Sequence, residues 1–261
     1  MPAGGLGALL RRWRAARRVS QLDLALDAGV SSRHLSFVET GRAAASREMV
    51  LRLAEALQVP LRDRNALLLA AGYAPLYRET GLDAPEMVLA RRAVEFILAQ
   101  QEPYPAIVVD RHWNVLLANE ATRRFTAMLL ERPPVGDVNA LRMAFDPQGL
   151  RPFIENWEEV AGHLIERVHR EAAATPPDAA TAKLLEDLLR YPGVPDRWRT
   201  PQLDRVPAPL LTLVYRKGEL RLSVFSTITT FGTPQDVTLQ ELRIECFFPA
   251  DEATRTAMAK R

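Results

Sequence analysis

A single cysteine in 261 residues, Cys246, leaves no internal disulfide to staple the fold, and so thiol-poor a chain suits a reducing compartment. No apolar run approaches the roughly 18–20 residues needed to cross a bilayer, so no membrane partner is expected. Internal repeats and low-complexity tracts are also missing. The Arg-rich opening GLGALLRRWRAARR invites comparison with a targeting peptide, but a secretory signal places its charge ahead of a long apolar stretch. Here a short apolar stretch comes first and the arginines run on into a structured segment. It reads as a first helix, and the chain is expected to be cytoplasmic.

Catalytic signatures are as scarce. Gly5-Leu-Gly7 follows no strand and cannot be a dinucleotide loop. Cys246 sits in a β-rich run and reads as a small core hydrophobe. Glu166 and His169, with His163 a turn earlier, have the E-x-x-H spacing of metal-binding bundles, yet no partner motif supplies further carboxylates. That helix reads as an exposed charged face. Neither catalytic residues nor a metal are expected, and no cofactor beyond a bound apolar ligand.

What is present is a soluble composition, 48% apolar and 25% charged, with its charge unevenly spread. Residues 1–78 hold twelve basic and six acidic side chains; residues 79–261 hold twenty-two and twenty-six. A basic small domain joined to a mildly acidic larger one suits a DNA-binding module attached to something that is not one.

Helical periodicity and caps divide the first 72 residues into five short helices. Leu6, Leu9, Leu10 and Trp13 mark the first. Ser20, Ser31 or Ser32, and Ser46 can cap the next three, and Pro60 precedes the fifth, Leu61–Ala71. Residues 73–85 form a linker, and a helix follows over about Pro85–Gln100. Strands are expected at 106–110 and 114–118, then helices at 119–131, 150–174 and 178–190. The last two are split by the turn residues Thr175-Pro-Pro-Asp178. Three further strands, Leu210–Tyr215, Leu220–Ser226 and Leu239–Phe248, close the chain, with Lys217-Gly218 joining the first two. The expected organisation is thus an all-α five-helix domain over 1–72, a linker and connecting helix over 73–104, and an α+β domain over 105–261 with a mainly antiparallel sheet.

The segment Ser20–Gly41 is the most specific. Two short helices that cross steeply need a small residue at the contact, supplied by Ala25, and a turn tolerant of positive φ, supplied by Gly29. Leu24, Ala28, Val30, Leu35 and Val38 complete the wedge. The segment resembles the helix-turn-helix of phage repressors and of the xenobiotic-response-element (XRE) family of regulators, over about residues 6–72. The resemblance implies a recognition helix at about Ser32–Glu39. Ser32, Arg33, Ser36 and Phe37 would read bases, with Ser31 beside them, while Gln21 and Arg42 would meet phosphate. It also implies an ion pair between Arg14 and Glu39. Arg11, Arg12, Arg17 and Arg18 are less specific, and only some would be phosphate contacts. The partner would be double-stranded DNA, a palindromic operator read by a homodimer.

The run Ser46–Pro75 is similar to regulators carrying an MmyB-like ligand-binding domain. Pro105–Ala121 resembles the opening of a PAS-like fold, with Asp110 leading a turn and Asn119 capping the next helix. These similarities imply a sensor with a mostly apolar cavity, for which a fatty acid is an expected occupant. From the residues alone, the pocket candidates are Trp113, Leu117, Phe125, Phe145, Phe153, Trp157, Phe225 and Phe231, although any single one of them reads better as core than as lining. A ligand-free dimerisation or docking module remains the alternative.

Overall fold

A computed structural model describes residues 5–174, 178–201 and 209–259. In chain order the elements begin with α1 (Leu6–Arg17), α2 (Gln21–Asp27), α3 (Ser32–Glu39), α4 (Arg47–Ala56) and α5 (Leu61–Ala70). There follow α6 (Val88–Gln100), β1 (Ala106–Val109), β2 (Val115–Ala118), α7 (Glu120–Leu129), α8 (Ala140–Phe145), α9 (Trp157–Ala174) and α10 (Ala179–Leu189). The chain closes with β3 (Leu213–Lys217), β4 (Leu220–Thr229), α11 (Val237–Glu241), β5 (Arg243–Pro249) and α12 (Glu252–Ala259). It forms two compact units, one of residues 1–81 with 232–240, the other of 82–231 with 241–261. Residues 73–81 therefore go with the first unit, and α6 with the second.

In the first unit, Ser20, Ser31 and Ser46 each accept the N–H of the residue three positions on, which starts α2, α3 and α4. Leu10, Trp13, Leu24, Leu35, Val50, Leu53 and Leu67 form its core. Ala25 is buried and Gly29 has φ 63°, as the crossing of α2 and α3 requires. Gly7 serves a similar purpose between α1 and α3: a Cβ there would collide with the backbone of Glu39. The segment 232–240 completes this unit. Val237 is buried and donates to the Arg78 carbonyl at 2.8 Å, and the N–H of Thr80 reaches Asp236 Oδ1 at 3.4 Å. Pro60 has no side-chain oxygen to cap α5, and the Leu61 N–H is met instead by Gln240 Oε1 at 2.6 Å.

The second unit is built on an antiparallel sheet of order β2-β1-β5-β4-β3. Alternation sorts its side chains to two faces. Ile107, Val109, Tyr215, Leu222 and Val224 join the large core with α7, α8, α9, α10 and α12. Ala106, Val108, Ile244 and Cys246 pack with Val94 and Leu98 of α6 on the other. All four residues of β1 are buried, as befits a strand covered on both sides. Asp110 leads the β1–β2 turn by accepting from the N–H groups of His112 (2.8 Å) and Asn114 (2.9 Å). Asn119 caps α7 through the Thr122 N–H.

Several boundaries differ from the sequence reading. The strand expected at Leu239–Phe248 starts only at Arg243, because Asp236 accepts the Thr238 N–H and opens α11 first. The strand expected at Leu210–Tyr215 is Leu213–Lys217, the stretch that pairs with β4. The helix expected to run to residue 131 stops at Leu129, ahead of Pro133 and Pro134. The helix expected from residue 150 begins at Trp157, preceded by a 3-10 turn at Arg151–Phe153. The short α8, capped by Asn139, and the terminal α12 were not anticipated. Of the turn expected at Thr175–Asp178, residues 175–177 lie outside the described residues.

Candidate functional site

The outer side of α3 is set by its inner one. Leu35 and Val38 point into the core, so Ser32 and Arg33 lie exposed on the first turn, with Ser36 and Phe37 half-buried a turn later. Ser31, which caps the helix, is exposed as well. The Arg33 guanidinium lies 5.5 Å from the Phe37 ring centroid, a cation–π distance that holds two of the expected readers together. Neither Arg33 nor Arg42 has an ion-pair partner among the described residues, and both are exposed. Such a face presents donors and an aromatic edge to whatever docks against it.

Glu39 closes the same helix from within. Nearly buried, it receives Arg14 in a two-pronged pair at 3.0 and 3.1 Å, and its hydrogen bond raises the guanidinium pKa. The Gln21 side chain, expected to meet phosphate, donates to Glu39 Oε2 at 2.9 Å. The arginines of α1 sort in the same manner. Arg11 bonds the Glu39 carbonyl and Arg17 bonds the carbonyls of Leu57 and Gln58, whereas among the described residues no such bond engages Arg12 or Arg18. Spacing along one helix could not tell these apart, because the acceptors are 25 or more residues away.

In the second unit the eight pocket candidates do not enclose one space. Trp113, Phe125 and Phe145 are buried in the large core, with Phe153 and Trp157 packed against it. Leu117 and Phe231 pack on the opposite face of the sheet, and Phe225 stacks on Phe248 at 5.5 Å. Of the eight, Phe125 lines a cleft of about 190 Å³ together with Pro103, Pro105, Ala121, Arg124, Met128 and Met258. Arg124 is its one charged wall, and donates to Glu102 at 2.8 Å. Burial works against the Glu102 charge, but that bond and the Ala121 N–H outweigh it and hold the carboxyl below its usual range. Nothing in the sequence pointed to Met258, because α12 was not foreseen.

Other polar groups tie the fold together. Trp113 has a left-handed backbone, φ 69°, unusual for so bulky a residue, and its ring lies under Arg167 (4.4 Å) and Arg243 (5.1 Å). Glu171 accepts from the Trp113 indole and from both guanidiniums. Burial opposes the charge of Asp178, but bonds from Thr181 and His112, with Arg111 close by, hold its carboxyl well below the usual range. Burial pushes the Cys246 thiol up. His163 and His169 each bond a backbone carbonyl, and no cluster of three metal-ligating side chains occurs among the described residues. Among the same residues, no helix is long and apolar enough to cross a membrane.

Comparison with known families follows this division. Residues 5–67 match a helix-turn-helix domain. Residues 90–260 match the MmyB-like transcription regulator ligand binding domain. A comparison with curated proteins gives no match. With the second match alone covering well over half of the sequence, and with a helix-turn-helix ahead of it, the chain belongs to the MmyB-like transcription regulators, DNA-binding proteins that carry a ligand-binding domain.

Proposed function

We propose that this regulator, of XRE type and cytoplasmic, reads a palindromic operator as a homodimer and that a fatty acid bound by its second unit sets the affinity. The observation that carries the DNA half is the outer face of α3, where Ser32 and Arg33 of the capped first turn lie exposed and Ser36 and Phe37 half-buried a turn later. Arg33 is suited to a guanine edge and the Phe37 ring to a thymine methyl, while Arg42 suits phosphate. One such helix reads only a few base pairs, and two-fold pairing doubles the site. The test separates readers from phosphate contacts. Arg33→Ala should cost about 1–3 kcal/mol on the preferred site and flatten one base position, whereas Arg42→Ala should weaken all sequences alike. An unchanged base-preference profile for Arg33→Ala would refute the assignment of α3.

The ligand half rests on a domain rich in large apolar side chains and on the cleft beside Phe125. Ligand that binds only the folded state raises stability by about 2.7 kcal/mol at a hundredfold excess over Kd. To regulate, it must also favour one of two arrangements of the dimer. Thermal melts of the delipidated full chain against fatty acids of increasing length should therefore show rising Tm. A Tm indifferent to every length favours the second reading, a docking or dimerisation module without ligand. What supports that alternative is that seven of the eight candidate aromatic and apolar residues pack without bordering the cleft.

A further inference from the structure

We propose that the connection between β4 and β5 is a strap through which the condition of the second unit reaches the headpiece, with Gln240 and Glu241 as its two neighbouring anchors. The strands pair as far as Thr229 and Ile244, a register that a hairpin of a few residues would close. Thirteen residues, 230–242, lie between the strands instead, and their middle part, 232–240, belongs to the first unit. The legs on either side of that part are short. Phe231 on one and Leu242 on the other already pack with Val94 and Leu98 of α6, in the second unit.

The two anchors face different units. Toward the headpiece, Val237 is buried and bonds the Arg78 carbonyl, and Gln240 supplies the acceptor for the Leu61 N–H at 2.6 Å. Leu67 and Leu68 of the helix so capped share a core with Leu35, on the inner side of α3. Toward the second unit, Glu241 accepts from Arg111 at 3.1 Å. Arg111 also pairs with Asp178 at 2.9 Å, and Asp178 holds His112 of the β1–β2 turn and starts α10. Gln240 and Glu241 are consecutive residues at the end of α11, with Cα atoms about 3.8 Å apart, so one is not displaced without the other. Rearrangement of α10 or of the β1–β2 turn thereby loosens the acceptor of α5, and by linkage loosening of α5 acts back on the turn. The strap needs no particular ligand, only one that alters α10 or the turn, so it goes beyond the fatty-acid reading and does not depend on it.

Hydrogen exchange of single amides in the full chain, followed by NMR with no ligand added, tests the strap. Arg111→Met should speed exchange of the Leu61 amide about fivefold, a modest coupling between distinct sites, while Val50 of α4, in the same headpiece, keeps its rate. In the opposite direction, Gln240→Ala should speed exchange of the His112 amide, which Asp110 holds, by a similar factor. Two glycines inserted between Gln240 and Glu241 keep both anchors and slacken the link by about 7 Å. In that background Arg111→Met should leave Leu61 at the rate of its inserted parent. An unchanged Leu61 rate in Arg111→Met, an equal rise at Val50, or an effect that survives the insertion overturns the strap. If Arg111→Met does not fold, His112 in Gln240→Ala decides alone, and an unchanged rate there overturns it.

Discussion

The two units use capping side chains differently. In the headpiece a serine starts each of three helices and bonds only within its own first turn. In the second unit Asn119, Asn139 and Asp178 each cap a helix and also reach a distant segment, whereas Asp251, at the start of α12, accepts the Thr254 N–H within its own first turn. Asn119 accepts the Ala106 N–H of β1 and donates to the Tyr104 carbonyl. Asn139 donates to the His112 carbonyl and to Asn114 Oδ1. Asp178 holds His112 and Arg111. An amide or a carboxylate has enough bonding positions to start a helix and tie it to a sheet at once; a hydroxyl on a short stem has fewer. The headpiece is therefore assembled from locally specified helices, and the second unit in large part from helices whose starts are also tertiary links.

The largest expected effect tests that difference directly. Asn119→Ala should cost about 3 kcal/mol, since it strands more than one buried partner at about 1–3 kcal/mol each. Asn119→Ser should recover only about 1 kcal/mol, the worth of the cap alone. Calorimetry of the full chain would measure both, and equal stabilities for Ser and Asn would dissolve the distinction.

A smaller pair of effects probes the exception within the headpiece. Ser46→Ala should cost about 1 kcal/mol as an ordinary lost cap. Gln240→Ala should cost a similar amount in the same unit, although Gln240 lies 179 residues beyond the helix it caps. Hydrogen exchange at amides of α4 and α5 would report both. Unaltered protection of α5 in Gln240→Ala would mean that segment 232–240 adds nothing to the unit.

The smallest effect is one of pH. Glu245 faces Ser226, Arg167 and Arg243; burial raises its carboxyl pKa, and those three neighbours only partly offset the shift. A raised folded-state pKa contributes stability that is present below the unfolded value and lost as pH rises through the folded one. Glu245→Gln removes that loss, so its stability relative to wild type should grow from acid toward neutral pH and then level. A difference that stays flat with pH would show that the carboxyl titrates as it does in the unfolded chain.

Much of the headpiece was legible because its determinants are near neighbours. Ser20, Ala25, Gly29, Leu35 and Val38 fall within nineteen positions, and turn chemistry with helical period fixes their use. In the second unit the Asp110 turn and the Asn119 cap were legible for the same reason. The limits of β3 and β5 were not, since they depend on which residues a partner strand meets.

The sequence by itself determined the five-helix headpiece, the outward face of α3 and the α+β character of the rest, all consequences of local propensity and periodicity. Only the tertiary structure decided that Gln21 turns to Glu39, that Gly7 lies where two backbones touch, and that Met258 meets Phe125 from 133 positions away. Such pairings are selected by packing and by satisfying buried polar groups once the chain has closed on itself, and no period in the sequence encodes which distant residue that will be.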